Sequence, residues 1–310
     1  MFSCLFLRSA WAGNPALSED DDMGIERVLK MLNKPYVKSF KDEYGVVFDC
    51  VDIYKQPAII HSSRTTRFRY RLNQDSSGVE GQHFAMLLMD SEKGSKFQDA
   101  GALLEVDSPY VPPDQSSSAQ IILLDNSSDK IGCIQSSWHA DGYQTTGCLN
   151  LLSLGFVLTS PTAAPGMVLP TGNPVFRLVS AFLRYLFRAL YSNPFTESGD
   201  WYVFLNQESV GYFPKQIFNN MDGATEVQMG GITYAPPGQK SPPMGNGVAP
   251  SSDTNITAST FTHIEVQGAN VARDWVTKDV DQAIYNIVMT SKSNTGPQGV
   301  AFQYGGPGGF

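Results

Sequence analysis

Between residues 72 and 310 the chain carries 25 of its 28 glycines and 16 of its 19 prolines, and these punctuate a series of short runs rich in β-branched and aromatic residues. The runs are Phe84–Met89, Ala102–Val106, Ala119–Leu124, Gly155–Leu158, Trp201–Asn206, Thr225–Tyr234, Thr260–Val266 and Ala283–Met289. Most are too short to make a helix that buries a useful face, and no sustained alternation of strand and helix links them. Many short strands between Gly/Pro turns predict an all-β body, an antiparallel sandwich or barrel. Two stretches, Pro236–Pro250 and Tyr304-Gly-Gly-Pro-Gly-Gly, read as loop or tail that cannot join a sheet interior.

The first seventy residues are of a different kind. Acidic residues after Ser18, apolar Ile25, Val28, Leu29 and Leu32 at helical spacing, and a stop at Asn33-Lys-Pro predict one helix. Gly45–Tyr54 then reads as a strand, and a basic segment follows with Arg64, Arg67, Arg69 and Arg71. Residues 1–71 hold 11 basic and 9 acidic side chains, whereas residues 72–310 hold 11 and 21, so a slightly basic leader precedes a strongly acidic body. That division is what an intramolecular inhibitor or docking segment requires, although a solvated linker has the same composition. The overall charge of −8 excludes a general nucleic-acid binder, whose affinity comes from Lys and Arg against phosphates.

One stretch departs from the strand pattern. Val175–Tyr191, with Arg177, Arg184 and Arg188 at intervals of seven and four, predicts an amphipathic helix. Three arginines make it a poor membrane span; it lies on a membrane surface or a partner, or, as the preferred reading, packs on the body as an insertion. At the amino terminus Phe2–Leu7 and Ala10-Trp-Ala resemble the end of a secretory signal, but the apolar region is short and no basic residue precedes it. Sequons stand at Asn126 and Asn255 and gain meaning only with export.

The common catalytic spacings are absent: no GxSxG, HExxH or P-loop pattern occurs, and the four histidines are distant in sequence. Cys4, Cys50, Cys133 and Cys148 show no CxxC pair and are too few for a disulfide scaffold. Carboxylate chemistry is what is left for a β-sandwich hydrolase. It needs one group to activate water and one to hold the developing oxyanion, and spacing alone cannot find such a pair.

Several segments resemble the plant neprosin family. Ile25-Glu-Arg-Val-Leu-Lys-Met-Leu-Asn-Lys-Pro and Phe48-Asp-Cys-Val-Asp-Ile-Tyr-Lys-Gln-Pro-Ala are similar to its activation peptide. Asp141-Gly-Tyr-Gln-Thr-Thr-Gly-Cys-Leu-Asn-Leu-Leu, Gly199-Asp-Trp-Tyr-Val, Val210-Gly-Tyr-Phe-Pro, Pro243-Met-Gly-Asn-Gly and Tyr304-Gly-Gly-Pro-Gly are similar to its catalytic domain, and all fall in order. The resemblance implies a secreted glutamic-type prolyl endopeptidase, made as a zymogen, built as an antiparallel β-sandwich and needing neither metal nor cofactor. It divides the chain into a truncated start or degenerate signal at 1–22, an activation-peptide-like segment at 23–75 and a peptidase-type domain at 80–310. Its implied partners are a proline-containing peptide or protein substrate and the chain's own leader.

The departures bear on activity. The family's first catalytic glutamate lies in a Glu-x-Gly-Trp pattern, and here Gln135 of Ile134-Gln-Ser-Ser-Trp138 takes its place. The second lies near a Gly-Gly pair, here Val227-Gln-Met-Gly-Gly-Ile232, so that Gln228 or Ile232 takes the position and neither ionises. Glu226, two residues before Gln228 and so on the same side of a strand, is the nearest carboxylate. The family's connection between Trp138-His139 and Asp141-Gly-Tyr143 is shortened, and Ser153 stands where the family has the partner of Cys148, which implies a free Cys148 thiol. A glutamine binds an oxyanion but is no general base. The expectation is therefore a peptidase fold with weak or lost activity; the alternative is a non-catalytic extracellular or cell-wall peptide-binding protein.

Overall fold

A computed structural model describes residues 36–41, 47–51, 81–127, 132–140, 156–164, 167, 169, 171–181, 199–206, 208–215, 221–251, 257–270, 276–279, 283–292 and 299–310. The expected helix after Ser18, Cys148, Ser153 and residues 182–191 lie outside them. The leader contributes β1 (Tyr36–Lys41) and β2 (Val47–Val51), antiparallel partners in a two-stranded sheet of their own. β2 falls inside the expected strand Gly45–Tyr54, whereas β1 was not foreseen.

The body follows as β3 (Gln82–Asp90), β4 (Asp99–Val106), β5 (Ser116–Asp125), β6 (Gly132–His139), β7 (Val157–Leu158) and β8 (Gly172–Ala181). It continues through β9 (Trp201–Leu205), β10 (Glu208–Phe213), β11 (Glu226–Tyr234), β12 (Ser259–Gln267), β13 (Val276–Asp279), β14 (Asn286–Ser291) and β15 (Ala301–Gly305). Five strands form one sheet in the order β13-β3-β11-β5-β6, and eight form another in the order β14-β15-β12-β4-β8-β9-β10-β7. Every pairing is antiparallel. The fold is thus an all-β antiparallel sandwich, as the Gly/Pro punctuation predicts.

Two sequence expectations are corrected. Residues 175–181 are strand, not helix: β8 pairs with β4, Leu178 against Ala102 and Phe176 against Leu104, and with β9. In Val175-Phe-Arg-Leu-Val the β-branched and aromatic residues favour an extended chain, and sheet pairing outweighs the helical spacing of the arginines. The segment beginning at Tyr304 also joins a sheet interior: β15 lies between β14 and β12, and Tyr304 is fully buried. Glycine is what allows this. A Cβ on Gly306 (φ 159°) would fall 2.0 Å from the Ile284 carbonyl oxygen, so only a bare backbone passes here.

The core lies between the sheets. Alternate residues of the five-stranded sheet supply one wall: Ala85, Leu87 and Met89; Ala119, Ile121 and Leu123; Val227 and Met229; Ile134 and Trp138. The opposite wall includes Ala102, Leu104, Phe261, Phe302 and Tyr304, with Phe261 stacked on Phe302 at 4.9 Å between centroids. Trp138 reaches across, its indole Nε1–H donating to the Glu105 carbonyl oxygen at 3.0 Å. This alternation forces every residue between two core residues of the five-stranded sheet onto its other face.

Candidate functional site

That second face collects Gln135, Gln228 and Glu226, the candidate residues of the sequence. In the register of the five-stranded sheet Gln135 lies opposite Ile122, Ile122 opposite Gln228, Gln228 opposite Leu88, and Leu88 opposite Val276. One row therefore runs Gln135–Ile122–Gln228–Leu88–Val276, with the two glutamines on strands two apart, roughly 10 Å at the backbone. The neighbouring row is Cys133–Leu124–Glu226–Asp90. Gln135, Gln228, Glu226 and Cys133 are all half-buried, and Ile122 and Leu124 are buried between them. The outcome is two polar flanks separated by an apolar floor.

The two glutamines are held differently. Gln228 donates from Nε2 to Glu226 Oε1 at 2.6 Å, along its own strand. Glu226 thus shares a face with Gln228, as its two-residue offset predicts. Gln135 donates from Nε2 across the sheet to Gln120 Oε1. Gln120 is buried and donates from its own Nε2 to Ser118 Oγ at 2.6 Å, and Ser118 donates to the Ile232 carbonyl oxygen at 3.2 Å. Ile232, the alternative position for the second family glutamate, lies on the same face and opposite Ser118, two rows from Gln228. Gln120 and Ser118 carry no sequence signal that would single them out, because their partners are brought together only by strand pairing.

The backbone under Gln228 is specialised. Gly230 has φ 149°, and a Cβ there would stand 2.1 Å from the Ala85 carbonyl oxygen of β3. Gly231 points to the core, where a Cβ would meet Met244 and Tyr304. The Gly-Gly pair is thus a place where β11 passes close to its neighbours on both sides, with Gln228 two residues before it.

A second polar group lies at the end of β4. Asp107 Oδ2 accepts from Ser259 Oγ at 2.7 Å. Burial pushes the Asp107 carboxyl above its ordinary range; burial and then the neighbouring Asp107 charge do the same for Glu105. The Tyr304 hydroxyl is held neutral by burial and by these two carboxyls. Asp90, at the end of the Glu226 row, lines with Glu92, Asn126 and Asp222 an open polar depression in which Lys96 Nζ bridges Asp125 Oδ2 at 2.9 Å and Asp222 Oδ1 at 2.7 Å. Among the described residues no group of three or more His, Cys, Asp or Glu is placed to hold a metal ion.

Among solved structures the chain is similar to scytalido-glutamic peptidase with a peptide-based transition-state analogue, at 10% identity over 73% of this chain and 98% of that one, with a TM-score of 0.37. It is similar also to SCP-B, a member of the eqolisin family of peptidases, in complex with the tripeptide Ala-Ile-His, at 10% identity, the same coverage and a TM-score of 0.35. The family model for neprosin matches residues 115–307, a span that takes in β5, β6 and β11 and with them Gln120, Gln135, Glu226 and Gln228. The chain belongs to the neprosin family.

Proposed function

We propose that this neprosin-family chain binds an extended, proline-containing peptide across the face bearing Gln135, Ile122 and Gln228, and hydrolyses it weakly or not at all. The observation that carries the reading is the face itself: Gln135 stands where the resemblance gives one catalytic glutamate, Gln228 or Ile232 where it gives the other, neither side chain ionises, and Gln135 and Gln228 flank an apolar floor. An amide donates and accepts hydrogen bonds but takes no proton in the working range of a general base, so a bound peptide would be held without water being activated. The peptide class comes from the family resemblance. In the same reading the protein is exported, and residues 23–75 act as an activation peptide whose slightly basic charge suits the acidic body.

The test is to incubate purified protein, with its leader removed, with a proline-containing decapeptide between neutral and acid pH. Affinity and cleavage are both measured. Micromolar binding without cleavage is the expected result, and rapid hydrolysis next to proline overturns the reading. One observation favours a second reading, residual hydrolysis. Glu226 is hydrogen-bonded to Gln228 on the same face, where its carboxylate can serve as base while Gln135 holds the oxyanion. Under it, slow cleavage by the wild type disappears in Glu226→Gln while peptide affinity persists.

A further inference from the structure

We infer that Gln120 is a positioning residue for Gln135, one that fixes which end of the Gln135 amide faces its sheet neighbour. The inference rests on the peptide-binding reading for its consequence, but not for its geometry. The direction of the hydrogen-bond chain follows from its anchor. The Ile232 carbonyl oxygen can only accept, so the Ser118 hydroxyl donates to it, and the Ser118 oxygen is left to accept. It accepts from Gln120 Nε2. An amide that commits its nitrogen end in this way presents its oxygen at the other, and this oxygen receives Gln135 Nε2. Four groups on three strands thus form one relay of a single polarity, from the edge strand β6 to the backbone of β11.

Ser118 and Gln120 are both almost wholly buried, 3% and 4% exposed, so water does not compete for these bonds. Gln135 is half-buried and next in line towards the peptide face. An unrestrained glutamine rotates freely about its last torsion and offers donor and acceptor interchangeably. With Nε2 committed, the placement of the Gln135 carbonyl is set by covalent geometry. A peptide therefore meets a fixed pattern of donor and acceptor, not an average of two. The relay also explains how glutamine is tolerated at 135: its nitrogen has a built partner.

The test is a double-substitution cycle read by affinity for a proline-containing decapeptide. Gln120→Leu, which keeps the volume and removes both polar ends, is expected to weaken binding about fivefold, the worth of one ordinary hydrogen bond. Gln135→Leu has its own loss, and the Gln120→Leu/Gln135→Leu protein binds no more weakly than Gln135→Leu alone. Additive losses would mean that Gln120 acts on the fold and not through Gln135, and would overturn the inference. Gln120→Glu reproduces the relay only as the neutral acid, whose carbonyl oxygen accepts the Gln135 N–H and whose O–H donates to Ser118 Oγ, so its affinity comes within about twofold of wild type at acid pH and falls as the carboxyl ionises. Failure of that rescue counts against the inference.

A readout independent of any peptide separates this inference from the functional reading. In the wild type the Gln135 side-chain amide protons are expected to exchange slowly with water and to give a dispersed pair of NMR signals. In Gln120→Leu their exchange accelerates at least tenfold, and unchanged exchange overturns the inference. If the wild-type protein binds no peptide, the functional reading fails by itself and the exchange measurement still decides the role of Gln120.

Discussion

Glutamine and glutamate differ by a single terminal group, yet only the acid can take a proton from water and give it up again. Gln135 and Gln228 have the length and flexibility of glutamates, so the weak or lost activity proposed above is a matter of chemistry and not of shape. Their partners differ in how far the sequence points to them. That Glu226 shares a face with Gln228 is legible, because a two-residue offset within one strand fixes the face, and the hydrogen bond between them follows from it. The pairing of Gln135 with Gln120 is not, since it depends on β5 and β6 being neighbours in a definite register. Gly230 is the residue at which this site is most exposed to damage. Its φ of 149° and the 2.1 Å approach of the Ala85 oxygen to a Cβ leave no room for alanine. Gly230→Ala is expected to destabilise the fold by about 2 kcal/mol or more, seen as a lower urea midpoint. A midpoint equal to wild type would mean that β11 shifts there at no cost.

At the level of the element, runs such as Ala119–Leu124 announce themselves by β-branched and aliphatic residues between turn signals, and β5 forms where they predict it. β6 has no such run: Gly132–His139 is largely small and polar, and it is absent from the runs that predict strands. It is held by its partner and by one large side chain. Trp138 buries its ring between the sheets and spends its N–H on Glu105. Trp138→Phe should therefore cost about 1 kcal/mol, the value of that hydrogen bond, whereas Trp138→Ala should cost about 3–5 kcal/mol through the lost packing. Denaturant titration of the two variants checks the order; equal losses would show that the hydrogen bond, not the ring, fixes β6. β8 and β15 were misread for opposite reasons. Arg177 of β8 stands at helical spacing from Arg184 and Arg188 in the sequence and so imitates a helical face, and the glycines at the end of β15 look like a tail until the close approach to Ile284 is seen.

At the scale of the whole molecule, the acidity of the body has a direction as well as a sum. Asp107 and Glu105 have folded-state carboxyls above their ordinary range, so the native protein holds these protons more tightly than the unfolded chain. Their contribution to stability is fully present below the unfolded value of about 4 and is lost as pH rises through the raised folded values. Asp222 works the other way, its carboxyl lowered by the hydrogen bond from Lys96, but it is largely exposed and acts below the same range. The melting temperature should consequently rise between neutral pH and about pH 5, and Asp107→Asn should flatten that rise. A melting temperature that falls over the interval would contradict the assignment. The sandwich and its acidic body were thus legible from glycine, proline and charge counts, while the placement of the charges at one end of β4 was not.

The strict alternation of β11 between Val227 and Met229 on one side and Glu226 and Gln228 on the other also limits how this lineage can change length. A one-residue insertion or deletion within β11 would exchange the two sets, putting amide and carboxylate into the core and valine and methionine on the opposite face, unless a bulge absorbed the odd residue. Relatives that preserve this face should accordingly gain or lose residues in β11 in pairs, or confine odd-numbered changes to the turns at its ends.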